Sequence, residues 1–311
     1  MSEITETTPQ ELAKKDRAVV IAPAGCGKTE LIARAVGCNE DGRQLILTHT
    51  HAGVKSLLDR LRKIGVPSKR FIIDTIAGFA LKYAISFPGT SGIVEFPTSN
   101  QDWNEAYKGA AKIISFLWGE KILLSSYTGL YVDEYQDCTT SQHELILGIA
   151  NSLPCRILGD PLQGIFDFGG DIVDWNKKNF PNFNRLPNLK TPWRWKNKNE
   201  ALGNWLFKIR KHLNHGQQID LRIDLPPGVR WCPQNPDNQW KACAKFFDEK
   251  NDSIVAMHKM PNKAHFFAKN LKGMFSSMEE MECKDLLKWS DKIENSTEIK
   301  RLSNIRQFQP Y

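Results

Sequence analysis

The chain has 311 residues, of which 41% are hydrophobic and 25% charged, with a formal net charge of +7; this predicts one large or two medium domains and excludes a disordered chain. No apolar run reaches the roughly 20 residues of a membrane span, and the acidic N-terminus is unlike a secretion leader. Seven scattered cysteines without a Cys-x-x-Cys pair indicate free thiols, so we expect a cytoplasmic protein with no membrane partner.

Short apolar runs alternate with longer amphipathic stretches through roughly the first 170 residues, a rhythm typical of a parallel sheet with crossover helices. The predicted strands are Ala18–Ile21, Gln44–Thr48, Phe71–Asp74, Leu130–Asp133 and Cys155–Leu158. The predicted helices are Lys28–Val36, Ala52–Lys63, Ile76–Ala84 and Ser141–Asn151. We therefore predict an open α/β sheet with helices on both faces and a working edge at the carboxyl ends of the strands.

Two stretches interrupt this rhythm. Residues 87–127 begin with Pro88 and Gly89 and continue with a helical pattern, which predicts an inserted helical subdomain. Residues 179–192 are rich in Asn and Pro, which is typical of a linker. We therefore predict one domain over residues 1–190 and a second over 191–311. The second is expected to contain a helix over 199–213, a strand over 253–258 and a helix over 263–271.

A glycine-bearing turn follows the first predicted strand and opens the first long helix. Gly25 and Gly27 permit a tight loop whose backbone N–H groups point at phosphates, and the helix beginning at Lys28 adds its dipole. Lys28 is expected to contact the β- and γ-phosphates of ATP and Thr29 to bind Mg²⁺. A chance match is the alternative. The predicted nucleotide-binding residues are Ala22, Pro23, Ala24, Gly25, Cys26, Gly27, Lys28, Thr29 and Glu30.

Two adjacent carboxylates, Asp133 and Glu134, follow the fourth predicted strand. Asp133 is expected to hold Mg²⁺, directly or through water, and Glu134 to orient and deprotonate the attacking water. A helix N-cap is the alternative for Asp133, but it does not explain two carboxylates at a strand end opposite a phosphate-binding loop. The two motifs together predict an ATP-hydrolysing site.

The box Asp133-Glu134-Tyr135-Gln136-Asp137 matches the Asp-Glu-x-Gln-Asp box of UvrD/Rep-type superfamily 1 helicases, and other segments resemble motifs of that family in the same order. These segments are Thr48–His51 for motif Ia, Asp74–Ala80 for motif Ib, Leu158–Phe168 for motif III and Trp193–Trp195 for motif IV. The resemblance implies a RecA-like P-loop domain over 1–190 and a partial second RecA-like domain over 191–311.

The resemblance also implies roles for individual residues. Gln163 would sense the γ-phosphate, and Arg194 would reach the same phosphate from the second domain, supplying charge that stabilises the transition state. His49 and Thr75 would line the path of single-stranded DNA, and Phe166 and Phe168 would stack on its bases. Burial in the core is the alternative for Phe168.

The chain departs from the family pattern in three places. Ala52 stands where a lysine is usual, and Gly169 follows the motif III aromatic residues where an arginine is common, so fewer phosphate contacts are expected. No Thr-x-His-x-x-Lys-Gly or Thr-Arg-Ala segment follows Arg194. The chain is therefore expected to be a fragment or to complete its site with a protein partner.

Two functions follow from these observations. The first is an ATP-dependent translocase or helicase on single-stranded DNA, with the 3′ to 5′ direction that the resemblance implies. The alternative is an ATP-binding regulatory or partner subunit, for example beside a nuclease in DNA repair or phage defence, that does not unwind alone. A P-loop kinase is a third possibility, but nothing resembles a phosphoacceptor site.

Overall fold

The computed structural model describes residues 6–39, 42–164, 173, 175, 180 and 182–231. The chain divides into two compact units, Met1–Val229 and Arg230–Tyr311, and all described residues except Arg230 and Trp231 belong to the first. The strand predicted over 253–258 and the helix predicted over 263–271 lie outside the described residues. The partial second RecA-like domain and the domain boundary after residue 190 stay predictions.

Six parallel strands form one sheet in the order β3-β2-β4-β5-β1-β6. The predicted α/β fold with a parallel sheet is confirmed, and the five predicted strands agree with the observed ones to within one residue at each end. The strands are β1 Arg17–Ile21, β2 Gln44–Thr48, β3 Phe71–Thr75, β4 Gly129–Val132, β5 Cys155–Gly159 and β6 Asn184–Arg185.

The short strand β6 lies within the stretch predicted as a linker. Its backbone pairs with β1, and beyond it Leu186 N–H donates to the Val19 carbonyl while Leu189 N–H donates to the Ile21 carbonyl. Leu189 is buried, at 5% exposure. The Asn and Pro content that suggested a linker is accommodated because this segment runs along a sheet edge, where few backbone hydrogen bonds are required.

The helices connect successive strands and cover both faces of the sheet. Threonine hydroxyls cap four of them, with Thr8, Thr50, Thr75 and Thr139 each accepting a hydrogen bond from a backbone N–H in the first turn. The helices are α1 Pro9–Lys14, α2 Lys28–Cys38, α3 His51–Lys63, α4 Ile76–Ser86, α5 Pro88–Ser91, α6 Asn100–Ser115, α7 Leu117–Ser126, α8 Thr140–Ala150 and α9 Glu200–Asn214. Within the described ranges, none of the helices combines the length and apolar composition needed to cross a membrane.

Alternate residues of each central strand enter two different cores, as expected for a sheet covered on both faces. On β4, Leu130 and Val132 pack with α4, α6 and α8, whereas Tyr131 packs on the opposite face with α2 and α3. Helix α6, within the predicted insertion, contributes Ala110 and Ile114 to the first of these cores. The sheet is therefore a rigid base that fixes the positions of the loops at its carboxyl edge.

Candidate functional site

The predicted phosphate-binding loop joins β1 to α2. Gly25 and Gly27 have φ of +72° and +85°, in the left-handed region that favours glycine, and Gly27 is the N-cap of α2. Ala22, where the general motif has glycine, is fully buried, and its N–H donates to the Gly159 carbonyl of β5 at 3.0 Å. Burial raises the pKa of the Cys26 thiol to about 12. The loop therefore has the strand–turn–helix context that a phosphate cradle requires.

The turn after β4 directs two carboxylates toward that loop. Asp133 is 3% exposed, and its N–H donates to the Leu47 carbonyl of β2 at 2.8 Å. Glu134 has φ +54° and ψ +40°, an uncommon conformation for a residue other than glycine. A non-glycine residue in this region costs of order 1–3 kcal/mol and is most often found where function fixes a side chain.

The glycine-bearing loop and the acidic turn meet in the structure. Lys28 Nζ donates to Glu134 Oε2 at 2.6 Å, and the Lys28 side chain is only 8% exposed. Thr29 hydrogen bonds to Asp133 through its side chain. Burial, followed by the charge of Glu134, raises the pKa of Asp133 well above its usual range, while Lys28 opposes the shift. The two sequence motifs therefore form one continuous polar cluster.

Gln136 holds this cluster to the end of β5. Its side-chain amide donates to Glu134 Oε2 at 2.8 Å and to Asp137 Oδ2 at 3.2 Å, while its Oε1 accepts from the Asp160 N–H at 2.9 Å. Gln136 is 4% exposed. Because one amide group satisfies three partners, the orientation of Glu134 depends on the position of the loop after β5.

A cavity of about 560 Å³, which we call the acidic cavity, opens over this cluster. Burial, and then the charge of Glu134, raises the pKa of Asp137 to about 6. Asp137 Oδ1 is buried and, within the described residues, has no hydrogen-bond partner. Gln163, the predicted γ-phosphate sensor, lies on the same wall. The polar residues that line the cavity include Thr29, Thr48, His49, Asp133, Glu134, Gln136, Asp137 and Gln163.

The two described residues of the predicted DNA path differ in their surroundings. His49 borders the acidic cavity, its Nε2 lies 3.4 Å from Cys138 Sγ, and burial lowers its pKa to about 4, against the smaller effect of Glu134. Thr75 is 6% exposed, and its hydroxyl accepts from the Gly78 N–H at 2.9 Å. Thr75 thus caps α4, whereas His49 is neutral and faces a cavity. Phe166 and Phe168 lie outside the described residues.

The segment Trp193–Trp195 lies on the phosphate-binding loop. Arg194 N–H donates to the Gly25 carbonyl at 3.1 Å, and its guanidinium lies 5.7 Å from the centre of the Trp195 ring. A Cβ added at Gly25 would lie 2.7 Å from a Trp195 ring carbon, and one added at Gly27 would lie 3.3 Å from Trp193. The two indoles therefore pack where side chains on the loop would stand.

Glu30, the last residue of the predicted nucleotide-binding stretch, forms ion pairs with Arg34 and Arg60. It therefore stabilises the packing of α2 against α3. Asp160, at 1% exposure, is paired with Arg210 of α9, whose Nη1 donates to Asp160 Oδ2 at 2.7 Å. Arg210 was not among the predicted site residues, because nothing in the sequence distinguishes it from the neighbouring lysines of an amphipathic helix.

Comparison with known proteins gives one family and a distant structural likeness. The model of the AAA domain family matches residues 5–169, just over half of the chain. No curated protein matches the sequence.

Two solved structures of the Arterivirus nonstructural protein 10 helicase are similar. The complex with DNA aligns at 16% identity and a TM-score of 0.33, covering 59% of this chain and 38% of that one. The other structure aligns at 15% identity and a TM-score of 0.33, covering 59% and 37%. This chain therefore matches less than two fifths of those helicase chains.

Proposed function

The chain belongs to the AAA domain family, and from this premise we propose that it is a P-loop ATPase that moves along single-stranded DNA in the manner of UvrD/Rep-type superfamily 1 helicases. The observation that carries the proposal is the ion pair between Lys28 and Glu134, at 2.6 Å. This contact joins Lys28, proposed to bind phosphate, to Glu134, proposed to activate water, although 106 positions separate them in the chain.

The residues present fit Mg²⁺ with a nucleotide. The Thr29 hydroxyl and the Asp133 carboxylate are hard oxygen donors, and Asp137 lines the same cavity. Among the described residues no group of three or more His, Cys, Asp or Glu side chains suits a metal ion. The Thr29 hydroxyl and the Asp133 carboxylate form a donor set typical of Mg²⁺, which one or two carboxylates hold together with substrate phosphates and water. When bound, Mg²⁺ would neutralise charge on the transferred phosphoryl group.

The side chains then have distinct roles. Lys28 binds phosphate oxygens, and the Gly25–Gly27 backbone adds N–H donors at the N-terminus of α2. Glu134 orients a water molecule and accepts its proton on the carboxylate that Gln136 positions. Gln163 contacts the terminal phosphate, and Arg194 supplies a second positive charge. Each of these assignments is part of the proposal.

The strand of DNA would pass the ends of β2 and β3, where His49 and Thr75 lie, and its bases would stack on Phe166 and Phe168, which follow β5 in the sequence. Neutral His49 can donate or accept a hydrogen bond without adding charge. Thr75 would contribute its backbone, since its hydroxyl caps α4. Stacking of bases on aromatic rings contributes roughly 1–3 kcal/mol each.

A second candidate is an ATP-binding partner subunit that does not unwind DNA alone. It is favoured by Ala52 and Gly169, which stand where the resemblance leads us to expect cations, so that this chain alone would make fewer contacts to DNA phosphates. In this case a partner protein would supply further contacts to DNA.

ATP hydrolysis measured with and without single-stranded DNA tests the proposal. We expect stimulation by DNA, and a loss of about 100-fold or more in Lys28→Ala, because a preorganised cation is removed from the phosphates. Lys69→Ala, a matched change at an exposed lysine, should leave the rate unchanged. Hydrolysis equal in Lys28→Ala and the wild type would overturn the proposal. ATP binding with negligible turnover, restored by a second protein, would select the partner subunit.

A further inference from the structure

The positive charge of this protein is concentrated in one stretch of the chain. Residues 185–215 contain eight lysines and arginines against one glutamate, a formal charge of +7 that equals the net charge of the whole chain. The remainder of the sequence is balanced. Such a concentration is the electrostatic footprint of a polyanion-binding surface, provided that the charges face solvent and have no acidic partners.

Part of this stretch surrounds a second cavity, of about 480 Å³, which we call the basic cavity. Arg185 and Lys190 border it from the β6 segment, and Lys211 borders it from α9. The apolar part of its wall includes Ile21 at the end of β1 and Phe207 of α9. The basic cavity lies at the ends of β1, β5 and β6, whereas the acidic cavity lies at the ends of β2 and β4, and the two share no lining residue.

The three cations at this cavity are available to a ligand. Their side chains are exposed, and in the described part of the chain none forms an ion pair. Arg210, their neighbour, differs because its charge is neutralised by buried Asp160. Glu6 approaches Lys190, but its Oε1 accepts from the backbone N–H groups of Lys190 and Thr191. Three like charges around one cavity repel each other, and an anion within the cavity would relieve that repulsion.

The surroundings favour an extended single strand over a single small anion. Lys196 and Lys198, which follow Lys190 in the chain, are exposed as well. Trp193 is 54% exposed, and Lys196 Nζ lies 4.3 Å from the centre of its ring. An exposed indole beside cations is a platform on which a base can stack, and the apolar wall of the cavity suits a sugar or a base.

We propose that the basic cavity binds the phosphodiester backbone of single-stranded DNA, as a second contact apart from the path predicted past His49 and Thr75. The proposal rests on the proposed function in one respect, namely that DNA is the partner. The charges of Arg185, Lys190 and Lys211 each neutralise a phosphate and release counterions. Asn188 and Asn214, on the same cavity, offer amide groups to phosphate or sugar oxygens.

The test is the salt dependence of binding to a fluorescent oligo-dT, by anisotropy, over about 50–200 mM salt. We expect the triple variant Arg185→Gln, Lys190→Gln, Lys211→Gln to bind more weakly, with a slope of log K against log salt reduced by about 2, since each single-strand phosphate contact contributes about 0.7. The matched control Lys14→Gln, Lys63→Gln, Lys121→Gln removes the same charge from exposed lysines elsewhere and should keep the slope of the wild type.

A second measurement does not depend on the folding of a variant. In the wild-type protein, oligo-dT should protect Lys190 and Lys211 from acetylation, while Lys14 and Lys121 should react equally with and without it. Equal slopes in the two triple variants, or no protection of Lys190 and Lys211, would overturn the second contact. If the wild type binds no DNA and its ATP hydrolysis is not stimulated, the proposed function fails as well. If DNA stimulates hydrolysis but the two triple variants have equal salt slopes, only the proposed second contact is wrong.

Discussion

The acidic cavity and the basic cavity open on the same edge of one sheet, but their side chains are held in different ways. At the acidic cavity, Lys28 and Gln136 both donate to Glu134, at 2.6 and 2.8 Å. At the basic cavity, Arg185 and Lys211 are exposed and, among the described residues, have no acidic partner. The first group is fixed by the protein itself, whereas the second is free to meet a ligand.

This difference shows how one sheet can carry two kinds of site. Buried polar groups must satisfy each other, because each unmet hydrogen bond costs about 1–3 kcal/mol. Exposed cations are hydrated and need no partner, so they cost the fold little. We therefore expect substitutions at the acidic cavity and at the Asp160–Arg210 ion pair to affect both stability and activity. Substitutions of the exposed cations of the basic cavity should affect binding alone.

The largest effect on stability is expected at Arg210. Replacing it in Arg210→Met would leave the carboxylate of Asp160, 1% exposed, without its cation, at a cost of about 3–5 kcal/mol in the free energy of unfolding. Urea denaturation measures the loss. The matched variant Arg62→Met, at an exposed arginine of α3, should lose less than about 0.5 kcal/mol.

A double variant shows the cause of that loss. Adding Asp160→Asn to Arg210→Met removes the stranded charge while keeping an oxygen that can accept from the Leu162 N–H. We expect part of the lost stability to return. If the double variant is no more stable than Arg210→Met, the buried charge is not the cause.

The next effect is expected at Gln136. Gln136→Leu removes the acceptor of the Asp160 N–H and a donor to Glu134, so we expect a loss of about 1–3 kcal/mol in unfolding free energy and slower ATP hydrolysis. Nucleotide binding should change little, because the side chain of Gln136 bonds to Glu134, Asp137 and Asp160, and Lys28 and Thr29 are not among these partners. Gln101→Leu, on the surface of α6, is the matched control. Equal unfolding curves for the two variants would contradict the role given to Gln136.

A smaller effect is expected from the pH dependence of His49. Its folded-state pKa of about 4 lies below the ordinary value of 6.5, so the unfolded chain binds the proton more readily. The stabilising contribution of neutral His49 is present above pH 6.5 and is lost as the pH falls toward about 4.

Between about pH 7 and about pH 5, the wild type should lose about 1–2 kcal/mol that His49→Gln does not lose. Urea denaturation at the two pH values measures this difference. His51→Gln, at an exposed histidine two residues away, should keep the pH dependence of the wild type. An unchanged pH dependence in His49→Gln would assign the loss to other groups.

The smallest effect on stability is expected at the exposed cations of the basic cavity. Arg185→Gln should change the free energy of unfolding by less than about 0.5 kcal/mol, because its guanidinium is exposed and, in the part of the chain described, unpaired. The same urea measurement applies. A loss of 2 kcal/mol or more would show that Arg185 supports β6, and the comparison between the cavities would then fail.

The fold and the acidic cavity were predictable from sequence because their signals are local. Strand–turn–helix context identified the loop at Lys28, and a strand ending in two carboxylates identified Asp133 and Glu134. Parallel strands then bring such loops to one edge of the sheet. The geometry agrees with that expectation, whereas the catalytic roles themselves stay predictions.

The remaining features depend on contacts between distant parts of the chain. The pair of Asp160 and Arg210 joins residues 50 positions apart, and no spacing in the sequence indicates it. Strand β6 was missed because two residues at a sheet edge carry no periodicity. The basic cavity combines one strand and one helix, so its charges are ordinary surface residues until the fold places them side by side.

Two indoles pack on the phosphate-binding loop, so the intrinsic tryptophan fluorescence of this protein should report nucleotide binding. Trp193 and Trp195 stand against Gly27 and Gly25, so an ATP molecule that settles on the loop must alter the polarity around them. Intrinsic emission should therefore shift during a nucleotide titration, without any attached dye. Trp195→Phe would identify which ring is responsible.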